Sequence, residues 1–254
     1  MPSRIWTRCA GSSEIRALSA RPFRLVEAQH LTSTRRLVDS AEEQVALEAL
    51  IDRAKPPLPV EAEFKGLQFL LTTSFRYPPL AHGSRFATRF ERSLWYGSDS
   101  RETAFAEAAY YRLLFLEGTS ADLGRLSVEI SAYRVPVRTR RGVDLARAPF
   151  ARHAEAISSP SRYAESQALG AAMREAGVEA FRFRSARDPE RGTNVALFTP
   201  RAFAAKRPAG LETWICTASR ERVEFQRKDF FARGVKAFER ATFLVDGALP
   251  APAP

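Results

Sequence analysis

Residues 93–118 read SLWYGSDSRETAFAEAAYYRLLFLEG. Ser93 to Gly97 is a short apolar run of strand character. Asp99 or Ser100 can cap a helix that continues to about Glu117, and Gly118 supplies its stop. Working outward, Gly66 to Thr73 also reads as a strand, through Leu67, Phe69, Leu70 and Leu71, and a Pro- and Gly-punctuated loop from Tyr77 to Gly83 follows it. Gly124 to Ser131 alternates apolar and polar side chains, and Ser161 to Ala176 has helical spacing that ends at Gly177. Val178 to Arg184 is then a strand with Phe181 and Phe183 on one face and Arg182 and Arg184 on the other. Asn194 to Thr199, Thr213 to Thr217 and Glu221 to Gln226 complete the series. The elements mix without the regular strand–helix period of a doubly wound fold, so the expected class is α+β with a mixed sheet core.

Pro56-Pro57-Leu58-Pro59 ends any preceding helix and marks a boundary. Residues 1–60 are expected to form a mainly helical extension, anchored by a capping box from Ser40 to Glu43. Its Glu42, Glu43 and Glu48 face is either solvated or part of a homo-oligomer contact. Residues 61–205 are the candidate functional domain, 206–249 its β-rich completion, and 250–254 an extended, disordered Pro-Ala tail.

The chain has 254 residues, of which 45% are hydrophobic and 18 are Phe, enough for a substantial core and against a disordered chain. No apolar run is long enough to span a membrane, and Met1 to Ala20 lacks the apolar core of a secretory signal. Two cysteines, Cys9 and Cys216, can build neither a disulfide framework nor a Cys-based metal site, which fits a soluble protein of the reducing cytoplasm. The net charge of +10 suggests nucleic acid, yet only five of the 39 basic residues are Lys and no zinc spacing or helix-turn-helix is evident. An Arg-rich nucleic-acid-binding or non-catalytic interaction module is therefore the alternative reading, with direct nucleic-acid binding not expected. The Walker, dinucleotide-binding and hydrolase motifs are absent, and His30, His82 and His153 have no metal-like spacing, so no metal is expected.

Two stretches are unlike ordinary packing. One runs through Phe75-Arg76-Tyr77-Pro78-Pro79, Gly83-Ser84-Arg85-Phe86, Trp95-Tyr96-Gly97 and Ala104-Phe105-Ala106-Glu107. The other is Phe181-Arg182-Phe183-Arg184-Ser185-Ala186-Arg187, followed by Asn194. Tyr96 follows Arg85 by 11 positions and Glu107 follows Tyr96 by 11. Together these motifs resemble the RES domain, over about residues 60–205, in a subgroup with an N-terminal extension. The family commonly carries a Gly-Arg-Trp-Asn-type stretch where this chain has Ser84-Arg85-Phe86-Ala87, so Arg85 and Arg89 both stand as the second arginine.

The resemblance implies a fold similar to ADP-ribosyltransferases and the role of toxin in a bacterial Xre–RES toxin–antitoxin pair. It further implies NAD as a consumed substrate, no permanently bound cofactor, and an Xre-type antitoxin that covers the active-site entrance. The residue types suit that chemistry. Cleaving the nicotinamide–ribose bond passes through an oxocarbenium-like state, which a fixed carboxylate stabilises; Glu107 is the candidate. Arg76 and Arg85 can clamp the pyrophosphate. Tyr77 and Tyr96 can wall the nicotinamide ring, and Ser185 and Asn194 can hydrogen-bond the dinucleotide. Glu107, Arg76 and Tyr96 are the candidate catalytic set. Hydrolysis, phosphorolysis and ADP-ribosyl transfer remain equally compatible, and Glu102 and Glu91 are the alternative carboxylates.

Overall fold

A computed structural model describes residues 3–28, 38–57, 59–231 and 233–252. The strand–helix unit forms as expected: β3 (Trp95–Ser98) passes into α4 (Arg101–Glu117). Ser100 caps the helix by accepting the Thr103 N–H at 3.0 Å, and Gly118 closes it. The later strands are β4 (Leu126–Arg134), β5 (Val137–Asp144), β6 (Ala180–Arg184), β7 (Thr193–Leu197), β8 (Ala209–Ala218), β9 (Arg222–Arg227) and β10 (Val235–Glu239). Helices α5 (Ala154–Ile157) and α6 (Ala164–Glu175) cross between β5 and β6, the one parallel neighbour pair in the described sheet.

The N-terminal reading needs correction. Short helix α1 (Arg4–Arg8) is followed by two strands, β1 (Arg16–Ala20) and β2 (Phe23–Glu27); α2 (Ala41–Ala54) then starts at the expected capping box. The ten described strands run in the order β1-β5-β6-β7-β3-β2-β4-β8-β9-β10, so β2 lies in the middle of the sheet. It pairs Phe23 with Ser98 and Leu25 with Ala132. Residues 16–27 thus belong to the same sheet as the rest of the chain. Their partners lie far along the chain, which a local helix pattern cannot register.

Gly66 to Thr73 is likewise not a strand. Gly66 turns the chain at φ +76°, and α3 (Phe69–Arg76) follows, with Gln68 accepting the Leu70 N–H at 2.7 Å. Leu71 and Phe75, four apart, share the buried helix face, where Phe64 and Trp95 also pack. A short apolar run does not distinguish strand from helix by periodicity alone. The C-terminal tail is also tied down: Leu249 is buried in the cluster beneath α4, and Tyr110 donates to the Pro250 carbonyl. Residues 253–254 lie outside the described part.

The core falls into three buried clusters. One packs α6 and the 86–87 turn on Phe181, Phe183 and Phe198; the second surrounds Leu71 and Trp95; the third sits between α4 and β8–β9 around Phe105 and Phe225. No described helix is long and apolar enough to cross a membrane.

Candidate active site

Helix α4 buries Thr103, Phe105, Ala106, Ala109, Tyr110 and Leu113, while Ala104, Glu107, Ala108 and Tyr111 make a second stripe at i, i+3, i+4 and i+7. That stripe lines a cavity of about 360 Å³, closed opposite by β2, β3, β6 and β7 and by the 84–85 turn. Glu107 is its acidic group. Ser185 Oγ and Asn194 Nδ2 both donate to Glu107 Oε1, each at 2.6 Å, and Oε2 accepts from none of the described residues.

Both donors are themselves fixed. Ser98 Oγ donates to Asn194 Oδ1 at 2.7 Å, which directs the amide nitrogen of Asn194 to the carboxylate. Ser185 Oγ accepts the N–H groups of Arg187 and Asp188 at 3.1 and 2.9 Å, so its one proton goes to Glu107. Asp188 in turn accepts from Thr103 Oγ1 at 2.7 Å and from the Gly192 N–H at 3.1 Å, tying the 185–192 loop to the start of α4. A Cβ at Gly192 would lie 2.0 Å from Thr103 Oγ1, so this close approach requires glycine.

Arginine and tyrosine flank the carboxylate. The 84–87 turn closes with Ser84 N–H donating to the Ala87 carbonyl at 2.7 Å, and Gln167 Nε2 braces it from α6 through the His82 and Ser84 carbonyls. The turn presents Arg85, which donates to the Ser159 carbonyl at 2.5 Å and stacks on Tyr163 at 4.7 Å. Tyr96 shares a 3.0 Å hydrogen bond with Ser84, and burial pushes its pKa up to about 12, so its hydroxyl is neutral at physiological pH. From β2, Arg24 donates to the Tyr96 carbonyl at 2.6 Å, lies over Trp95 at 5.3 Å, and keeps a buried Nε without a partner. Burial lowers its pKa from the ordinary arginine value. Neither Arg24 nor Arg85 has a carboxylate within ion-pair distance among the described residues. Arg85 is buried and Arg24 half-buried, and cations withdrawn from water without an anion are costly, so this pair suits an anionic ligand.

Of the residues singled out from sequence, Arg85, Tyr96, Glu107 and Asn194 line the cavity, and Ser185 reaches it through its bond to Glu107. Arg76 and Tyr77 do not. Arg76 Nε donates to the Pro56 carbonyl, its guanidinium lies 6.0 Å from the centre of the Tyr77 ring, and neither borders the cavity. The physical reason is the helical path of 69–76, which carries them to the far end of α3. Arg89 stacks on Phe90 at 4.7 Å in the solvent, so of the two candidates for the second arginine it is Arg85 that reaches the cavity. The alternative carboxylates are engaged elsewhere: Glu91 accepts from Thr88 N–H at 2.7 Å, and Glu102 pairs with Lys236 at 3.2 Å. Sequence reasoning missed Arg24, Ser98 and Tyr111. Phe23-Arg24-Leu25 alternates as a strand, which was the available signal for the first of them.

The sequence of residues 58–219 matches the family model described as the RES domain. The chain belongs to the RES family. The match starts after β2, so Arg24 comes to the cavity from outside the matched span. No curated protein matches the chain. Among solved structures, this RES protein is similar to a chain in the crystal structure of the M. tuberculosis MbcT–MbcA toxin–antitoxin complex, at 13% identity, 93% coverage of each chain and a TM-score of 0.45.

Proposed function

We propose that this RES protein is the toxin of a toxin–antitoxin pair and that it consumes NAD by cleaving the nicotinamide–ribose bond. The observation that carries the reading is the carboxylate of Glu107, held through one oxygen by Ser185 and Asn194 while the other is left to the cavity. Nicotinamide departs as a neutral base, so the demand on the protein is to stabilise positive charge growing on the ribose. A carboxylate fixed before reaction does this without reorganising in the transition state. Oε2 stabilises that charge or accepts a ribose hydroxyl.

Arg24 and Arg85 take the pyrophosphate-clamping role, with Arg24 in the place first considered for Arg76. Guanidinium forks suit the paired anions of a dinucleotide. Tyr96 walls the ribose side. Water, phosphate or a protein side chain then takes the ADP-ribosyl group, and an Xre-type antitoxin is the proposed partner that silences the site. The test incubates purified chain with NAD and follows free nicotinamide. The expected result is turnover that the cognate antitoxin suppresses; a folded chain that releases no nicotinamide would overturn the reading. Expression alone in a bacterium should likewise arrest growth as cellular NAD falls.

A further inference from the structure

Four aromatic rings line the cavity: Phe23, Tyr96, Tyr111 and Phe183. Three are largely covered. Phe183 is 3% exposed and packs edge-on against Phe86 at 4.8 Å; Tyr96 is tied to Ser84 and meets Phe183 at 6.3 Å. The Phe23 ring is covered by the guanidinium groups of Arg134 at 4.3 Å and Arg101 at 5.4 Å. Among the four, Tyr111 is the exposed ring, its face left open to the cavity. It is 54% exposed, and no described arginine or lysine stacks on it.

Its orientation is nevertheless set. Tyr110 meets it edge-to-face at 5.1 Å, and the buried Arg187 guanidinium, 3.6 Å over the Tyr110 ring, holds Tyr110 in turn. Arg187 is further fixed by donating to the Pro160 carbonyl at 2.6 Å. Tyr111 stands one helical turn beyond Glu107 on the same stripe, so a preset aromatic ring and a carboxylate border one space.

We propose that Tyr111 is a specificity-determining residue whose open ring selects the positively charged, oxidised nicotinamide ring of NAD. The inference rests on the NAD-cleaving reading above. An aromatic face is electron-rich and attracts a cationic ring more strongly than a neutral one of the same shape. The oxidised pyridinium carries the charge; the reduced dihydropyridine does not. Bond cleavage moves the bonding pair onto the ring nitrogen, so nicotinamide becomes neutral and loses the attraction just as it has to leave.

The experiment measures binding of two dinucleotides to the full chain by calorimetry. One is the carbocyclic analogue of NAD, which keeps the cationic ring but lacks the scissile glycosidic bond; the other is NADH. The wild-type protein should prefer the cationic analogue. Tyr111→Ala should shrink that preference by about tenfold, between the exposed and the desolvated scale of one cation–aromatic contact, while NADH affinity changes less than twofold. Tyr111→Phe should keep the preference, and it also controls for folding, as does the melting temperature of each variant. An unchanged preference in Tyr111→Ala, or equal losses for both ligands, would overturn the Tyr111 assignment and leave the NAD reading standing. A wild-type chain that binds neither dinucleotide would overturn both.

Discussion

On the proposed reading the chemistry rests on Glu107, whose carboxylate Ser185 and Asn194 hold in place through one oxygen. Glu107→Gln keeps the shape of the side chain and removes the charge. Turnover should fall by about two to three orders of magnitude, the scale of losing one preorganised electrostatic group. Dinucleotide binding should change far less, because on the proposed reading Arg24 and Arg85 hold the ground state. Nicotinamide release and calorimetric binding, measured on the same folded variant, check the split. The arginines give a second comparison. Arg24 faces the cavity and Arg76 is occupied by the Pro56 carbonyl. Arg24→Ala should therefore raise KM for NAD by at least about tenfold, as expected for a lost charged hydrogen bond, and Arg76→Ala should leave it within about twofold. The reverse ranking would return Arg76 to the pyrophosphate.

At the scale of elements, the site depends on strands that come from opposite ends of the chain. β2 is hydrogen-bonded to β3 on one side and β4 on the other, and its Arg24 and Leu25 border the cavity. A chain beginning at residue 38 would lack both β1 and β2 and would open the sheet at its centre. It should show no cooperative thermal transition by circular dichroism, because the buried backbone groups of β3 and β4 lose their partners. A removable N-terminal annex would instead leave a folded remainder with a transition close to that of the full chain. The helix reading of α4 was legible locally, since the Ser100 cap, the apolar stripe and Gly118 all lie within the element. The strand reading of 66–73 failed because a short apolar run lacks the length to display its period. The packing of Leu71 and Phe75 beneath Trp95 settled it.

For the whole molecule, much of the basic charge has structural duties. Arg141 donates to the Ala176 and Gly177 carbonyls at 2.6 and 2.5 Å, Arg152 to the Arg8 carbonyl at 3.0 Å, and Arg134 to the Arg21 carbonyl at 3.1 Å. The net charge of +10 remains, without base-reading motifs, so any affinity for nucleic acid should be weak and disappear with modest salt, which a filter-binding titration across ionic strength would show. Tight binding that persists at physiological salt would favour a nucleic-acid module. The alkaline side carries another expectation. Burial pushes the pKa of Tyr96 and of Tyr110 up to about 12, against 10.0 for an ordinary tyrosine. Between these values the folded chain holds protons that the unfolded chain has released, so stability falls as pH rises. The contribution is full below pH 10 and is lost progressively up to about pH 12. Denaturant midpoints should hold steady from this source up to about pH 9 and decline beyond pH 10; a flat profile through pH 11 would contradict the enclosure of these rings.

The amino-acid order alone determined the α+β class and the helix that carries Glu107, because capping and periodicity are encoded within short windows; through the resemblance to the RES domain it grouped Arg85, Tyr96, Glu107, Ser185 and Asn194, together with Arg76 and Tyr77. It did not determine where Arg76 or Arg24 would point, nor that residues 16–27 enter the sheet. Those outcomes depend on pairings such as Leu25 with Ala132 and on the contact of Arg76 with Pro56. A strand's partner and a long side chain's destination are set by free energies of contact between distant segments, and only the folded chain brings those segments together.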